Sequence, residues 1–202
     1  MTLLDENAMI WSAPPEERAG RPLLLALHGH TGDEHQLAIA AELLPPEVVV
    51  VTARAPFAEG GGWSWFALSE AGRDAAAQVA DELLSWLDRQ EGYSSYGVLG
   101  LSQGSAMALE LMRRDPARFD YVVQLSGFAI DTSDNAELAR VHPPVFSAHG
   151  DLDTVIPRDR VADTSRFLRE HTVLTEKRYP GLGHSIEPRE IMDASRFIRS
   201  QL

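Results

Sequence analysis

The feature that most constrains this chain is a regular alternation of apolar runs too short to be helices with longer segments patterned at helical spacing. Leu23 to Leu27 and Val48 to Val51 are leucine- or valine-rich runs bounded by Pro and Gly, which is how strands buried on both faces of a parallel sheet read. Between them Gln36 to Leu44 has helical spacing and stops at Pro45 and Pro46, so the reading is strand, helix, strand. Asp74 to Gln90 places Ala75, Val79, Leu83, Trp86 and Leu87 near one helical face and closes at Gly92. The pattern continues as strand Tyr96 to Leu101, helix Ser105 to Arg114, strand Tyr121 to Leu125, strand Val145 to Ala148, helix Arg158 to Glu170, strand Val173 to Tyr179 and helix Glu190 to Leu202. Such alternation predicts an α/β fold with a doubly wound, mostly parallel sheet and helices on both faces. Met9 to Ala13 is expected as an edge strand antiparallel to Leu23 to Leu27. No repeat, low-complexity tract or linker interrupts the chain, so residues 1–202 are expected to form one domain.

Gly100-Leu101-Ser102-Gln103-Gly104 is a G-x-S-x-G sequence lying directly after a predicted strand and before a predicted helix. A strand that turns sharply into a helix leaves no room for side chains two residues either side of the serine, and glycine meets that need. The same turn holds Ser102 with its hydroxyl exposed, which makes it the candidate nucleophile. The bland alternative is a glycine-bordered turn with a helix-capping serine.

A serine hydroxyl is nearly inert at neutral pH, so a general base must lie within hydrogen-bond reach and an acid must hold that base in the right tautomer. His184 stands in the glycine-bordered loop Pro180 to Ser185, after one predicted strand. Asp151 and Asp153 both stand in the loop after the strand Val145 to Ala148. Parallel strands bring those loops to the same sheet edge as Ser102. A tetrahedral intermediate also needs backbone donors. Gln103 would supply one N–H, and His30, in the Gly-rich segment Leu27 to Asp33, the other. Trp63, Trp65, Phe66, Phe128 and Ile130 are expected to wall a pocket for an acyl chain.

These residues resemble the phospholipase/carboxylesterase family of small serine esterases, which includes the acyl-protein thioesterases. Leu27-His28-Gly29-His30-Thr31-Gly32-Asp33 is similar to its L-H-G-x-G-x-D segment with one glycine displaced, and Gly100 to Gly104 to its G-F-S-Q-G turn. Leu125-Ser126-Gly127-Phe128 resembles L-S-G-Y/F, and His149 to Pro157 resembles H-G-x-x-D-x-V-V-P. Trp65-Phe66 looks like the tryptophan-aromatic pair of its substrate loop, and Gly183-His184 like its histidine turn. The resemblance implies an α/β-hydrolase fold with Asp153, rather than Asp151, as the triad acid. His30 stands where the family generally has an apolar residue. The function implied is a serine carboxylesterase acting on short- to medium-chain acyl esters through an acyl-enzyme on Ser102. Thioesterase, lysophospholipase-type, lactone or carbohydrate-ester hydrolysis are alternatives on the same core, and a non-catalytic binding protein is a remote one.

Composition limits the partners. The 202 residues carry 30 acidic and 18 basic side chains, a formal charge of −12, so nucleic acid and anionic membrane faces would be repelled. No cysteine is present, which excludes disulfides and a cysteine nucleophile. His30 and His35 lack a third ligand in sequence, so neither metal nor other cofactor is expected. The acidic start, with Asp5 and Glu6, and the lack of a long apolar run predict a soluble, cytoplasmic protein without stable membrane insertion. Its partner would be a small-molecule ester. Only Gly127 to Pro144, 18 residues, separates two central strands where relatives insert a cap, so no cap domain is expected. The sequence leaves oligomeric state open, with a homodimer as one arrangement it allows.

Overall fold

A computed structural model describes residues 3–69 and 72–202; Met1, Thr2, Glu70 and Ala71 lie outside the described residues. The sheet strands are β1 (Ile10–Trp11), β2 (Leu23–Leu27), β3 (Val49–Ala53), β6 (Tyr96–Leu101), β7 (Tyr121–Leu125), β8 (Pro144–Gly150) and β9 (Val173–Tyr179), and β4 (Phe57–Glu59) with β5 (Gly62–Ser64) forms a separate hairpin. The helices are α1 (Gly72–Asp88), α2 (Gln103–Arg114), α3 (Ala136–Val141), α4 (Arg158–His171) and α5 (Pro188–Arg199). The seven-stranded sheet runs β1-β3-β2-β6-β7-β8-β9, parallel throughout except for β1.

Two-residue periodicity explains how one run serves two layers. In β2 every residue is buried. Leu23, Leu25 and Leu27 pack into a cluster with Val79, Leu83 and Trp86 of α1 and Met107 and Leu111 of α2. Leu24 and Ala26 face the other side, in a second cluster with Leu37 and Leu44 and with Ile191, Ala194 and Ile198 of α5. Burying each such leucine contributes roughly 1.5–3 kcal/mol against leaving it in water. A strand stabilised on both faces has no polar side to misalign, which fixes its place at the centre of the sheet. This is the α/β-hydrolase fold. Between β7 and β8 the described residues hold only the short α3, so no cap covers the sheet edge there.

Register brings the strand ends level. Leu27 pairs with Gly100, Leu101 with Leu125, Leu125 with Ala148, and Gly150 with Tyr179. The loops that follow β2, β6, β8 and β9 therefore leave from one edge.

Two expectations are corrected. The edge strand pairs with β3, through Ile10 with Thr52 and Trp11 with Val51, and not with Leu23 to Leu27. Both hydrogen-bonding edges of β2 are already taken, by β3 and β6. Gln36 to Leu44 is not an α-helix but a series of turns ending in a 3-10 helix over Ile39–Leu43. Most of its bonds run three residues back, as from Ala38 to His35 and Leu44 to Ala41, and a segment this short before two prolines gains little from propagating an α-helix. Elsewhere the ends move by a few residues. Proline opens α5 at its first position, where its missing N–H costs nothing.

Candidate active site

Ser102 sits between β6 and α2 with φ 53° and ψ −113°, a backbone conformation that an L-residue adopts only under strain of roughly 1–3 kcal/mol. The flanking glycines explain how the turn is packed tightly enough to hold it. A Cβ on Gly100 would come within 2.2 Å of the Gly104 carbonyl oxygen, and one on Gly104 within 2.0 Å of the Leu27 carbonyl oxygen. Behind the turn the fully buried Ser105 hydroxyl donates within reach of the carbonyls of Gly100 and Leu125, at 2.5 and 2.8 Å, and accepts from the Leu125 N–H at 2.9 Å. The Ser102 N–H donates to the Leu125 carbonyl at 2.8 Å.

The other two loops carry the partners. The Ser102 hydroxyl lies 2.9 Å from His184 Nε2, and His184 Nδ1 lies 2.8 Å from Asp153 Oδ2. An ionised carboxylate can only accept, so Nδ1 carries the imidazole proton and Nε2 is the acceptor facing the serine. Asp153 Oδ1 accepts from the N–H groups of Val155 and Ile156 at 2.8 and 3.2 Å. Its side chain is 3% exposed. Burial alone would raise its pKa, but these donors and His184 outweigh burial and hold the carboxyl below the usual carboxylate range.

Asp151 has a different task. Its Oδ1 accepts from the Gly181 N–H at 2.7 Å, and the Leu152 N–H reaches the Leu182 carbonyl at 2.9 Å. A Cβ on Gly150 would lie 2.0 Å from the Leu182 oxygen. These contacts clamp the loop after β8 to the loop after β9, and so set the separation of Asp153 and His184.

The segment after β2 is also tied down. The Gln36 side-chain oxygen accepts from the Gly29 N–H at 2.7 Å, and Gly32 closes a turn onto Gly29 at 3.0 Å. His28 Nε2 accepts from the Ala55 N–H at 3.0 Å, which leaves the proton on Nδ1, 2.7 Å from the Gly29 carbonyl. Burial pushes its pKa below the usual histidine value, so it is a neutral structural residue. His30 and Gln103 border the same cavity as Ser102. Among the described residues no acceptor pairs with either backbone N–H, as expected for Gln103 at the first position of a helix.

That cavity is about 690 Å³, with Leu68, Leu101, Phe128, Val155, Ile156 and Ile186 as its apolar wall. Leu68 and Val155 are exposed apolar residues at its rim. Of the five residues expected to wall it, only Phe128 does. Phe66 and Ile130 border a smaller neighbouring cavity of about 220 Å³. Trp65 is wholly buried, its indole N–H donating to the His28 carbonyl at 2.8 Å, and Trp63 packs beneath the Arg54 guanidinium, 4.9 Å from the ring centre. Aromatic content in a loop does not say which way the rings face. The Gln103 side chain ties down the backbone at Trp65 and Phe66: it accepts from the Trp65 N–H at 2.9 Å and donates to the Phe66 carbonyl at 2.6 Å. This role, and those of Gln36 and of Val155 to Pro157 at the cavity, carried no signal beyond the motifs that contain or adjoin them. Among the described residues no group of three His, Asp or Glu side chains is arranged to hold a metal ion, and no helix is long and apolar enough to cross a membrane.

Comparison with known proteins places the chain in a family. Acyl-protein thioesterase 1 of Kluyveromyces lactis is 32% identical over 110 residues, 51% of this chain and 48% of that protein. The chain thus spans about half the length of this thioesterase and of its Saccharomyces cerevisiae counterpart. A probable carboxylesterase of Oryza sativa is 29% identical over 91% of this chain and 88% of its own. The solved carboxylesterase of Bacillus cereus superposes with a TM-score of 0.81 at 21% identity, covering 96% of this chain and 94% of that one, which shows the shared fold. The phospholipase/carboxylesterase family model matches residues 12–202, nearly the whole chain, and the chain belongs to that family.

Proposed function

We propose that the protein is a serine carboxylesterase that hydrolyses short- to medium-chain acyl esters through an acyl-enzyme on Ser102. The observation that carries the reading is the unbroken hydrogen-bond chain from Asp153 through His184 to the Ser102 hydroxyl, at 2.8 and 2.9 Å, at the wall of an apolar cavity. In the proposed reaction the Ser102 oxygen attacks the ester carbonyl while its proton passes to His184 Nε2. Asp153 steadies the imidazolium. The free N–H groups of His30 and Gln103 receive the oxyanion, each worth about 3–4 kcal/mol in such sites. The intermediate collapses as the alcohol leaves with the proton from Nε2, and water, deprotonated by the same nitrogen, then releases the acid and restores the serine.

The same core would cleave a thioester, and the resemblance to proteins named acyl-protein thioesterases supports including one as a substrate. The test is the pre-steady state with p-nitrophenyl acetate. The expected result is a burst of p-nitrophenol equal to the enzyme concentration, abolished in Ser102→Ala; a Ser102→Ala protein that retains the burst would refute the proposal.

A further inference from the structure

We infer that Arg160 makes this site selective for esters that carry a negative charge several bonds from the reacting carbonyl. The inference deepens the esterase reading and rests on it. Arg160 borders the same cavity as Ser102 and His184. Its guanidinium carbon lies 4.3 Å from the centre of the Phe128 ring, another wall of that cavity. Stacking of this kind fixes the plane of the group while leaving its N–H edges free to donate.

Among the described residues the charge of Arg160 is uncompensated. Most arginines of this acid-rich chain meet a carboxylate, as Arg54 meets Glu34, Arg113 meets Asp131 and Arg114 meets Asp81. Among the described residues Arg160 has no such partner. The acids beside it on α4 are engaged otherwise: Asp159 accepts from the Arg160 backbone N–H and Asp163 pairs with Arg166. Position adds a second observation. Arg158 and Arg160 share the first turn of α4 with Asp159, and the Pro157 cap supplies no side-chain hydrogen bond. The helix dipole disfavours cations there and favours an anion. Two cations outnumber one acid in that turn, an imbalance that an anionic ligand in the cavity would reverse.

A neutral acyl chain would use Leu68, Phe128 and Ile156 and leave the arginine idle. A carboxylate or similar anion on the substrate would instead take paired, charge-assisted hydrogen bonds from the guanidinium, strengthened by the apolar wall. The charge can be carried on the acyl chain, as in the half-ester of a dicarboxylic acid, or on the alcohol.

Three chromogenic esters separate these sources: p-nitrophenyl hexanoate, mono-p-nitrophenyl adipate, and the hexanoate of a hydroxynitrobenzoate. With wild type, Arg160→Gln and Arg160→Lys, the expected result is that one charged ester loses about tenfold in kcat/KM relative to the neutral one in Arg160→Gln. Arg160→Lys retains part of that preference, and about 0.5 M salt weakens it. The ester that responds identifies the side on which the charge sits. A charged-to-neutral ratio that Arg160→Gln leaves unchanged for both charged esters would overturn the inference and reduce Arg160 to a packing partner of Phe128. Calorimetric titration of Ser102→Ala with the same esters, alone and combined with Arg160→Gln, reads binding without turnover. Tighter binding of a charged ester that disappears with Arg160 is expected, and equal binding counts against it. Failure of the wild type to cleave any of the three would fall on the esterase reading, while the titration still decides the role of Arg160.

Discussion

At Asp151 and Asp153 two carboxylates two residues apart follow the same strand, and spacing alone does not choose between them. The structure separates their tasks by what each accepts: a loop N–H from Gly181 for Asp151, the imidazole N–H of His184 for Asp153. Asparagine at 151 keeps an oxygen acceptor, so Asp151→Asn is expected to stay within a few-fold of wild-type turnover. Asn at 153 cannot hold His184 as the Nδ1–H tautomer with a negative charge behind it, and kcat for p-nitrophenyl butyrate is expected to fall by about 10⁴. Equal losses in the two variants would contradict the assignment. The serine turn was legible because its steric demands are local: Gly100 and Gly104 are required by contacts within the turn and with β2. The acyl wall was not, because the placement of Trp65 and Phe66 involves Gln103 and that of Trp63 involves Arg54, residues from other parts of the chain.

Among the elements, the central strands buried on both faces are the most legible in sequence. β2, β6 and β7 begin and end where their apolar runs predict, whereas β1 has only two paired residues and its partner depends on which sheet edge is left open. Gln36 to Leu44 has helical spacing but too few residues before its prolines. α5 carries a further expectation. Glu190, in its first turn, is fully buried, and burial pushes its carboxyl up to about 7. A raised carboxyl favours the neutral form in the fold, so its penalty is absent below the unfolded value, grows as pH rises from there and levels off above about 7. Glu190→Gln removes that penalty. Thermal unfolding of the variant is expected to show a gain of about 1–3 kcal/mol over wild type at about pH 8 that shrinks toward about pH 4. A variant less stable than wild type at the alkaline end would show that the ionised carboxylate is needed in place.

For the molecule as a whole, parallel pairing from β3 to β9 converts three distant positions into one site, because every strand ends at the same edge. That convergence is readable from the order of strands and motifs. The net charge of −12 makes Arg160, which meets no carboxylate among the described residues, the more informative, since the protein at large repels the anions that Arg160 would attract. The proposed reaction requires that this edge make one serine a nucleophile. Reaction with a fluorophosphonate ester, followed by intact-mass and peptide mass spectrometry, reads that out. One adduct per chain is expected, on Ser102, with labelling greatly slowed in His184→Ala. An adduct on another residue, or none while ester hydrolysis continues, would contradict it.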